Sequence, residues 1–396
     1  MFDVSVPAVA AAHGHAALHA IGLTPALMLQ PPNPEMLAEL AGRPDRSLMR
    51  VTEVQRASLL LHDGHALHPA RLLPALRSAL AGQDDALAVG DWVVAERDAH
   101  GDHWACERLA PRNQLARRLH DGRDKVTRTV IVANVDTALL VMGLDHDFNL
   151  RRLERYVTLV RLAGVAAVVV LTKADLCADP AGRLGQVQAG LPGGVAALAL
   201  DALADDVAGA LAPWLVPGST LVLLGSSGAG KSTLTNALVN ALVAGPAGQG
   251  GPGGPGWPQA VLQLQQRTGS TRHGDGRGRH TTTARSLHLT PAGACIIDTP
   301  GLRTLRLDGE PGQLASVFDD VARLAPQCRF RDCRHEQEPG CAVRAGVSAE
   351  RLHNFHKLER EARRDSLSVL ERQARHALWK QRSRAARARD KVGKGG

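Results

Sequence analysis

Residues Gly225-Ser226-Ser227-Gly228-Ala229-Gly230-Lys231-Ser232-Thr233 spell a complete G-x-x-x-x-G-K-S/T phosphate loop, and no other stretch constrains the chain as much. Before it, Ser219–Leu224 is an apolar, partly β-branched run that reads as a buried strand. After it, Leu234–Val239 continues with no helix breaker until Gly245. In a strand–loop–helix context, backbone N–H groups curl around phosphates and the helix N-terminus adds the positive end of its dipole. Lys231 would then reach the β- and γ-phosphates and Ser232 would hold Mg²⁺. A chance match among 40 glycines is the competing explanation, and the flanks argue against it. The stretch predicts a nucleoside triphosphate site over Gly225–Thr233.

Two further runs complete a nucleotide-binding set. Ala294-Cys295-Ile296-Ile297 reads as a buried strand opening onto Asp298-Thr299-Pro300-Gly301. The acid can reach Mg²⁺ through water, and the N–H of Gly301 can sense a γ-phosphate. Val165–Leu171 is a second apolar strand and ends at Thr172-Lys173-Ala174-Asp175, which resembles the guanine-reading N-K-x-D motif. Asp175 would accept from guanine N1–H and the exocyclic amine, and the stem of Lys173 would cover the purine. Adenine would leave that carboxylate unpaired, so GTP is expected over ATP. Thr172 stands where Asn is usual; its hydroxyl can still tie this loop to the phosphate loop.

The order of these motifs is unusual. In ordinary GTPases the guanine-reading element follows the phosphate loop, whereas here it precedes both other motifs. In this the chain resembles the circularly permuted GTPases, and more closely the family of ribosome small-subunit-dependent GTPases. The matches are Ala133-Asn134-Val135-Asp136, Leu171–Leu176, Gly225–Thr233, Gly278-Arg279-His280-Thr281-Thr282-Thr283, Asp298–Gly301 and Glu338–Val343. The resemblance covers about residues 48–360. It implies that 278–283 is a switch segment, with Thr282 in the middle of its threonine run as the Mg²⁺ ligand. Leu302 follows Asp298–Gly301 where Ras-type GTPases carry a water-orienting Gln, so slow intrinsic turnover is expected. His280 is the catalytic candidate that the family pattern suggests.

Cys328-x₄-Cys333-x-His335-x₅-Cys341 offers three thiolates and an imidazole, a full tetrahedral set for one structural Zn²⁺. The resemblance implies the same four ligands. Cys106, Cys177 and Cys295 sit in strand or helix contexts and read as core residues.

Between residues 48 and 109, short strands alternate with turn signals: Leu48–Gln55, Ala57–His62, an Asp63-Gly64 turn, Ala66–Arg71, a polar gap, Ala88–Val94 and Trp104–Leu109. This suits a small barrel of the oligonucleotide-binding (OB) kind, with an SH3-like barrel as the alternative. Arg112–Lys125 reads as a basic linker, Leu150–Leu162 as an amphipathic helix, and 245–258, with seven Gly and four Pro, as an insertion without a fold. The expected class is α/β: a permuted P-loop GTPase domain (114–312), preceded by an OB-type β-barrel (46–113) and followed by a mainly helical zinc-binding subdomain (313–396). Residues 1–45 read as a mobile extension with one short helix at Glu35–Ala41.

The net charge of +8 is concentrated at one end. Residues 357–396 carry thirteen Lys/Arg against five acids, which equals the whole excess and implies a polyanionic partner. No apolar run approaches a membrane span, and six cysteines in 396 residues are no secreted disulfide framework, so a cytoplasmic protein without a membrane partner is expected. The resemblance implies a monomeric GTPase that binds GTP/GDP, the small ribosomal subunit and its rRNA, and acts late in subunit maturation. The alternative is an rRNA-binding assembly scaffold in which GTP is mainly a conformational ligand.

Overall fold

Residues 15–40 form three short helices, α1 (His15–Ala20), α2 (Pro25–Met28) and α3 (Asn33–Leu40), where the sequence suggested a mobile extension. Each turns only a few apolar residues inward, so no 3.6-residue period runs through the segment. Leu18, Ile21, Leu23, Leu27, Leu37 and Leu40 are nonetheless buried. Buried Asn33 fixes the segment by donating to the Leu27 and Ala110 carbonyls (2.7 and 3.1 Å) and accepting the Ala110 N–H (2.7 Å). The structure, a computed structural model, describes residues 15–40, 42–120, 126–204, 206–240, 285–299 and 318–365.

The barrel strands are β1 (Arg46–Val54), β2 (Leu59–His62), β3 (Leu67–Leu72), β4 (Trp92–Arg97) and β5 (His103–Arg108), with α4 (Pro74–Gly82) between β3 and β4. Strand β1 pairs antiparallel with β2 and β4, and β3 pairs parallel with β5, which closes the ring. Five strands closed in this way, with a helix in the third connection, make an OB-type barrel and set aside the SH3-like alternative. The polar gap thus contains a helix. Pro74 presets its first turn, and Leu80 is buried with Met49, Leu61 and Val93 in the barrel core.

The expected linker 112–125 also contains structure, because β6 (Gln114–His120) pairs with β7 (Val126–Ala133) in a two-stranded sheet. Then follow β8 (Thr137–Gly143), α5 (Leu150–Leu162), β9 (Ala166–Thr172), α6 (Pro180–Gly190), β10 (Ala196–Ala199), α7 (Val207–Leu211), β11 (Thr220–Leu224), α8 (Lys231–Asn240), β12 (Ser286–Leu289) and β13 (Cys295–Asp298). Their order is β10-β9-β8-β11-β13-β12, parallel except for β12. The chain winds outward from β8 through β9 to β10, then starts again at β11 on the other side of β8. That reversal puts a crevice at the carboxyl ends of β8 and β11, where open α/β sheets bind ligands. Leu139, Val141, Val168, Val170, Leu221 and Leu223 face α7 and α8, and α5 packs on β8 and β9.

The barrel and this sheet do not separate at the expected boundary of 113. Glu53 of β1 pairs with Ser286 of β12, so eleven strands run continuously. Fully buried Arg50 of β1 donates to the Ile21 carbonyl and to Thr220 Oγ1 (2.9 Å) at the start of β11. Asn134, in left-handed backbone (φ 55°), donates to the Gly90 carbonyl (3.1 Å) and accepts the Arg112 N–H (2.9 Å). Asp136 accepts the Thr220 N–H (2.8 Å) and pairs with Arg112. Met1–Ala116 and Val130–Leu305 form one compact unit, and Arg117–Thr129 with Arg306–Gly396 form a second.

From residue 318 on, the described part of the second unit is helical: α9 (Asp319–Leu324), α10 (Ala342–Gly346) and α11 (Ala349–Asp365). Phe318 meets Phe355 edge-on at 5.3 Å, and Arg351 donates to both carboxylate oxygens of Asp320. Among the described residues, no helix is long and apolar enough to cross a membrane.

Candidate nucleotide site and cysteine–histidine cluster

Strands β9, β8, β11 and β13 lie side by side and parallel, so the motifs at their carboxyl ends converge. Thr172, buried at the end of β9, donates its hydroxyl to the Ala229 carbonyl at 2.6 Å. The tether expected of the missing Asn is therefore present between the guanine-reading loop and the phosphate loop. Lys173 adopts left-handed backbone (φ 60°) and places Nζ 2.7 Å from Asp145 Oδ2. Asp175 is exposed in the single 3₁₀ turn Ala174–Leu176, where a base could meet it. The Ala174 N–H donates to the Leu200 carbonyl (3.3 Å), which joins the loop after β10 to this end of the sheet.

Gly225 follows β11 where any Cβ would collide with the Val141 carbonyl, so the strand-to-loop exit demands glycine. Lys231, 6% exposed, donates Nζ to the carbonyls of Gly225 (3.1 Å) and Ser226 (2.7 Å). Burial lowers its pKa, while Asp298 and then Asp147 favour the charged form. These main-chain contacts satisfy the ammonium and can be exchanged for phosphate oxygens. Ser232 is exposed in the first turn of α8, the position for a Mg²⁺ ligand. Asp298 ends β13 in register with Leu223, and the Thr299 hydroxyl donates to the Leu223 carbonyl at 2.6 Å. Gly225, Lys231, Ser232 and Asp298 therefore share one end of two adjacent strands.

The sequence expectations for His280, Thr281–Thr283, Gly301 and the insertion 245–258 fall outside the described residues, as does the basic arm beyond 365. Two acids that sequence reasoning passed over stand in the site. Asp145 pairs with Lys173, and Asp147 Oδ2 accepts the Ser226 hydroxyl at 2.5 Å. Their only signal in the sequence is a position just after the apolar run Thr137–Met142.

In the second unit, the donor atoms of Cys328, Cys333, His335 and Cys341 all lie within 4.8 Å of one another. Cys328 Sγ is 3.8 Å from Cys341 Sγ, and His335 Nδ1 is 3.6 and 3.4 Å from these sulfurs. A tetrahedron with Zn–S bonds of about 2.3 Å has S–S edges of about 3.8 Å, so the spacing fits. Burial and then the neighbouring His356 keep the His335 pKa low, which favours the neutral imidazole that ligates metal. Burial opposes a Cys328 thiolate, but the N–H groups of Val343 and Ala342 outweigh it and lower its pKa. Burial and the other two sulfurs push the Cys333 thiol up to about 11, because crowded thiolates repel without a cation between them. The donor set fits Zn²⁺.

The family model "RsgA GTPase" matches residues 109–308, from the end of the barrel past Asp298–Gly301. The small ribosomal subunit biogenesis GTPase RsgA of Xylella fastidiosa (strain 9a5c) is 43% identical over 294 residues, 73% of this chain and 77% of that protein. The chain belongs to the RsgA GTPase family. Its activity is accordingly that of a GTPase. The protein of the same name from Xanthomonas campestris pv. campestris (strain B100) is 40% identical over 337 residues, 84% of this chain and 85% of that one. Two solved structures share the fold. YjeQ from Thermotoga maritima has a TM-score of 0.54 at 22% identity, covering 80% of this chain and 98% of that one. YloQ, a circularly permuted GTPase, has a TM-score of 0.52 at 21% identity, covering 82% and 97%. The strand order of this family member carries the permutation: β9, which ends in Thr172–Asp175, precedes β11, which leads into Gly225–Thr233, in the chain, yet lies two places from it in the sheet.

Proposed function

We propose that this family member hydrolyses GTP while bound to the small ribosomal subunit, and that the subunit accelerates the reaction late in its own maturation. The observation that carries the nucleotide assignment is the Thr172–Ala229 hydrogen bond, which fixes the guanine-reading loop onto the phosphate loop. The partner rests on family membership, on the names of the relatives, and on the basic excess of residues 357–396. The OB-type barrel and the arm would grip rRNA chiefly through phosphates.

Hydrolysis places water on the γ-phosphorus, breaks its bond to the bridging oxygen and releases GDP and phosphate. Lys231 and the loop N–H groups bear the charge that develops on the transferring group, and Asp175 selects the base. Ser232 and Thr282 would hold Mg²⁺, with Asp298 reaching it through water; the ion would neutralise the β- and γ-oxygens. His280 would orient the attacking water in place of the side chain that Leu302 lacks. Cys328, Cys333, His335 and Cys341 would hold one Zn²⁺, whose closed ligand set braces the second unit and leaves no position for chemistry.

The test is hydrolysis of GTP and ATP by the purified protein, alone and with small or large ribosomal subunits. Slow GTP turnover accelerated by small subunits alone is expected. Tight GTP binding with no acceleration by either subunit would favour the scaffold reading. For the metal, elemental analysis should find one zinc per chain, lost in Cys333→Ser while GTP binding persists. An unchanged zinc content in that variant refutes the assignment.

A further inference from the structure

Strand β8 carries neither the phosphate loop nor the guanine motif, yet the loop that follows it touches both. Asp145 Oδ2 lies 2.7 Å from Lys173 Nζ, and Asp147 Oδ2 takes the Ser226 hydroxyl at 2.5 Å. The loop is cross-linked within itself. Asp145 Oδ1 accepts the Asp147 N–H (3.0 Å), Arg152 pairs with Asp147 (2.6 Å), and Asn149 caps α5 by accepting the Arg152 N–H (3.0 Å). Gly143 ends β8 where a Cβ would stand 2.7 Å from Asp145 Oδ1 and 3.4 Å from Lys173 Cδ, so glycine clears the space in which acid and lysine meet. Asp147 also belongs to the field acting on Lys231, together with Asp298.

We propose that the loop Leu144–Asn149 is a positioning element of the nucleotide site, in which Asp147 fixes the phosphate loop through Ser226 and Asp145 fixes the purine-covering Lys173. Two carboxylates, separated by one residue, thereby hold both ends of the nucleotide in a single register. The pairing of Asp147 with Arg152 cancels most of the charge that would otherwise repel phosphate, so the carboxylate acts as an acceptor and not as a competing anion. Asp147 acts through Ser226 and need not touch nucleotide. This inference rests on the reading of Gly225–Thr233 as the GTP site.

The experiment follows release of N-methylanthraniloyl-GDP by stopped flow from full-length wild type, Ser226→Ala, Asp147→Asn, Asp147→Glu and the double variant Ser226→Ala/Asp147→Asn. Ser226→Ala and Asp147→Asn should each speed release about tenfold, the effect of one charge-assisted hydrogen bond. The double variant should be no faster than the faster single one, because both act on the same contact, Ser226→Ala by deleting its donor and Asp147→Asn by removing its charge. Asp147→Glu, which restores the carboxylate, should recover part of the loss. Ser226→Ala removes only a hydroxyl, so it remains informative should the Asp147 variants fold poorly. Multiplying effects in the double variant, or release from Ser226→Ala at the wild-type rate, would overturn the proposal. Failure of the wild type to bind the probe would instead overturn the nucleotide-site reading. Asp145→Asn should speed release as well, and an unchanged rate there removes the purine end from the proposal.

Discussion

The central sheet of this GTPase has two polar ends that share strands and are put to opposite uses. At the amino ends of β8, β11 and β13, Arg50, Asn134, Asp136 and Thr220 form a closed set with main-chain partners from the barrel, the amino-terminal helices and the Arg112 segment. At the carboxyl ends of β9, β11 and β13, Lys173, Asp175, Ser226, Lys231, Ser232 and Asp298 gather, several of them partly exposed. Buried polar groups are costly unless paired, and both ends pair most of theirs, Arg50 Nε at the lower end being an exception. The lower end pairs them with partners fixed by the fold, so it resists change. The upper end pairs Lys231 with loop carbonyls that a phosphate can replace, so it stays available to a ligand.

Substitutions at the two ends should therefore separate function from stability. Lys231→Ala should lower GTP turnover by on the order of a hundredfold or more, with little change in the denaturation midpoint. Undiminished turnover would show that the upper end is not the site. Arg50→Met should do the reverse. It strips the donor from the Ile21 carbonyl and the Thr220 hydroxyl and should cost about 4 kcal/mol in chemical denaturation, while the folded fraction still binds GTP. A variant as stable as wild type would mean that the joint is held by Asn134 and Asp136 alone.

A smaller effect is tied to pH. Burial lowers the pKa of His62, whose Nδ1 accepts the Gly64 N–H, from 6.5 to about 4. The neutral form is the one the fold favours, so its contribution is intact above pH 6.5 and is lost as pH falls through 4. Relative to His62→Gln, wild type should lose up to about 3 kcal/mol over that window, and parallel stability curves would contradict this. Smallest is Thr172→Val, which keeps the shape but removes the donor to Ala229. It should weaken GDP binding by roughly fivefold, measured by the same fluorescence, and no change would make the tether incidental.

The upper end was largely legible in the sequence because nucleotide chemistry dictates residue type and spacing together. Gly225, Lys231, Ser232, Asp298 and Asp175 each sit in a short local pattern that follows an apolar run. The lower end was not. Ala133–Asp136 stood out only as a point of resemblance, since its partners Gly90 and Arg112 lie 20 to 45 residues away. Arg50 sits between Met49 and Val51 in what reads as an ordinary strand. Of the amino-terminal helices only the one read at Glu35–Ala41 was legible, because three short elements show no common period, and α4 was missed because Pro74 and its short length disguise it. Asp145 and Asp147 look like the polar residues of any strand-to-helix loop, and only the sheet order brings them to Lys173 and Ser226.

The single residue pair between β1 and β12 has a consequence for reach. Ser286, the partner of Glu53 in the barrel, lies three residues beyond Thr283, the last threonine of the run expected to supply a Mg²⁺ ligand. Three residues of extended chain span about 10 Å at most. Covalent reach alone therefore tethers Thr283 within about 10 Å of Ser286, and through that residue pair to β1.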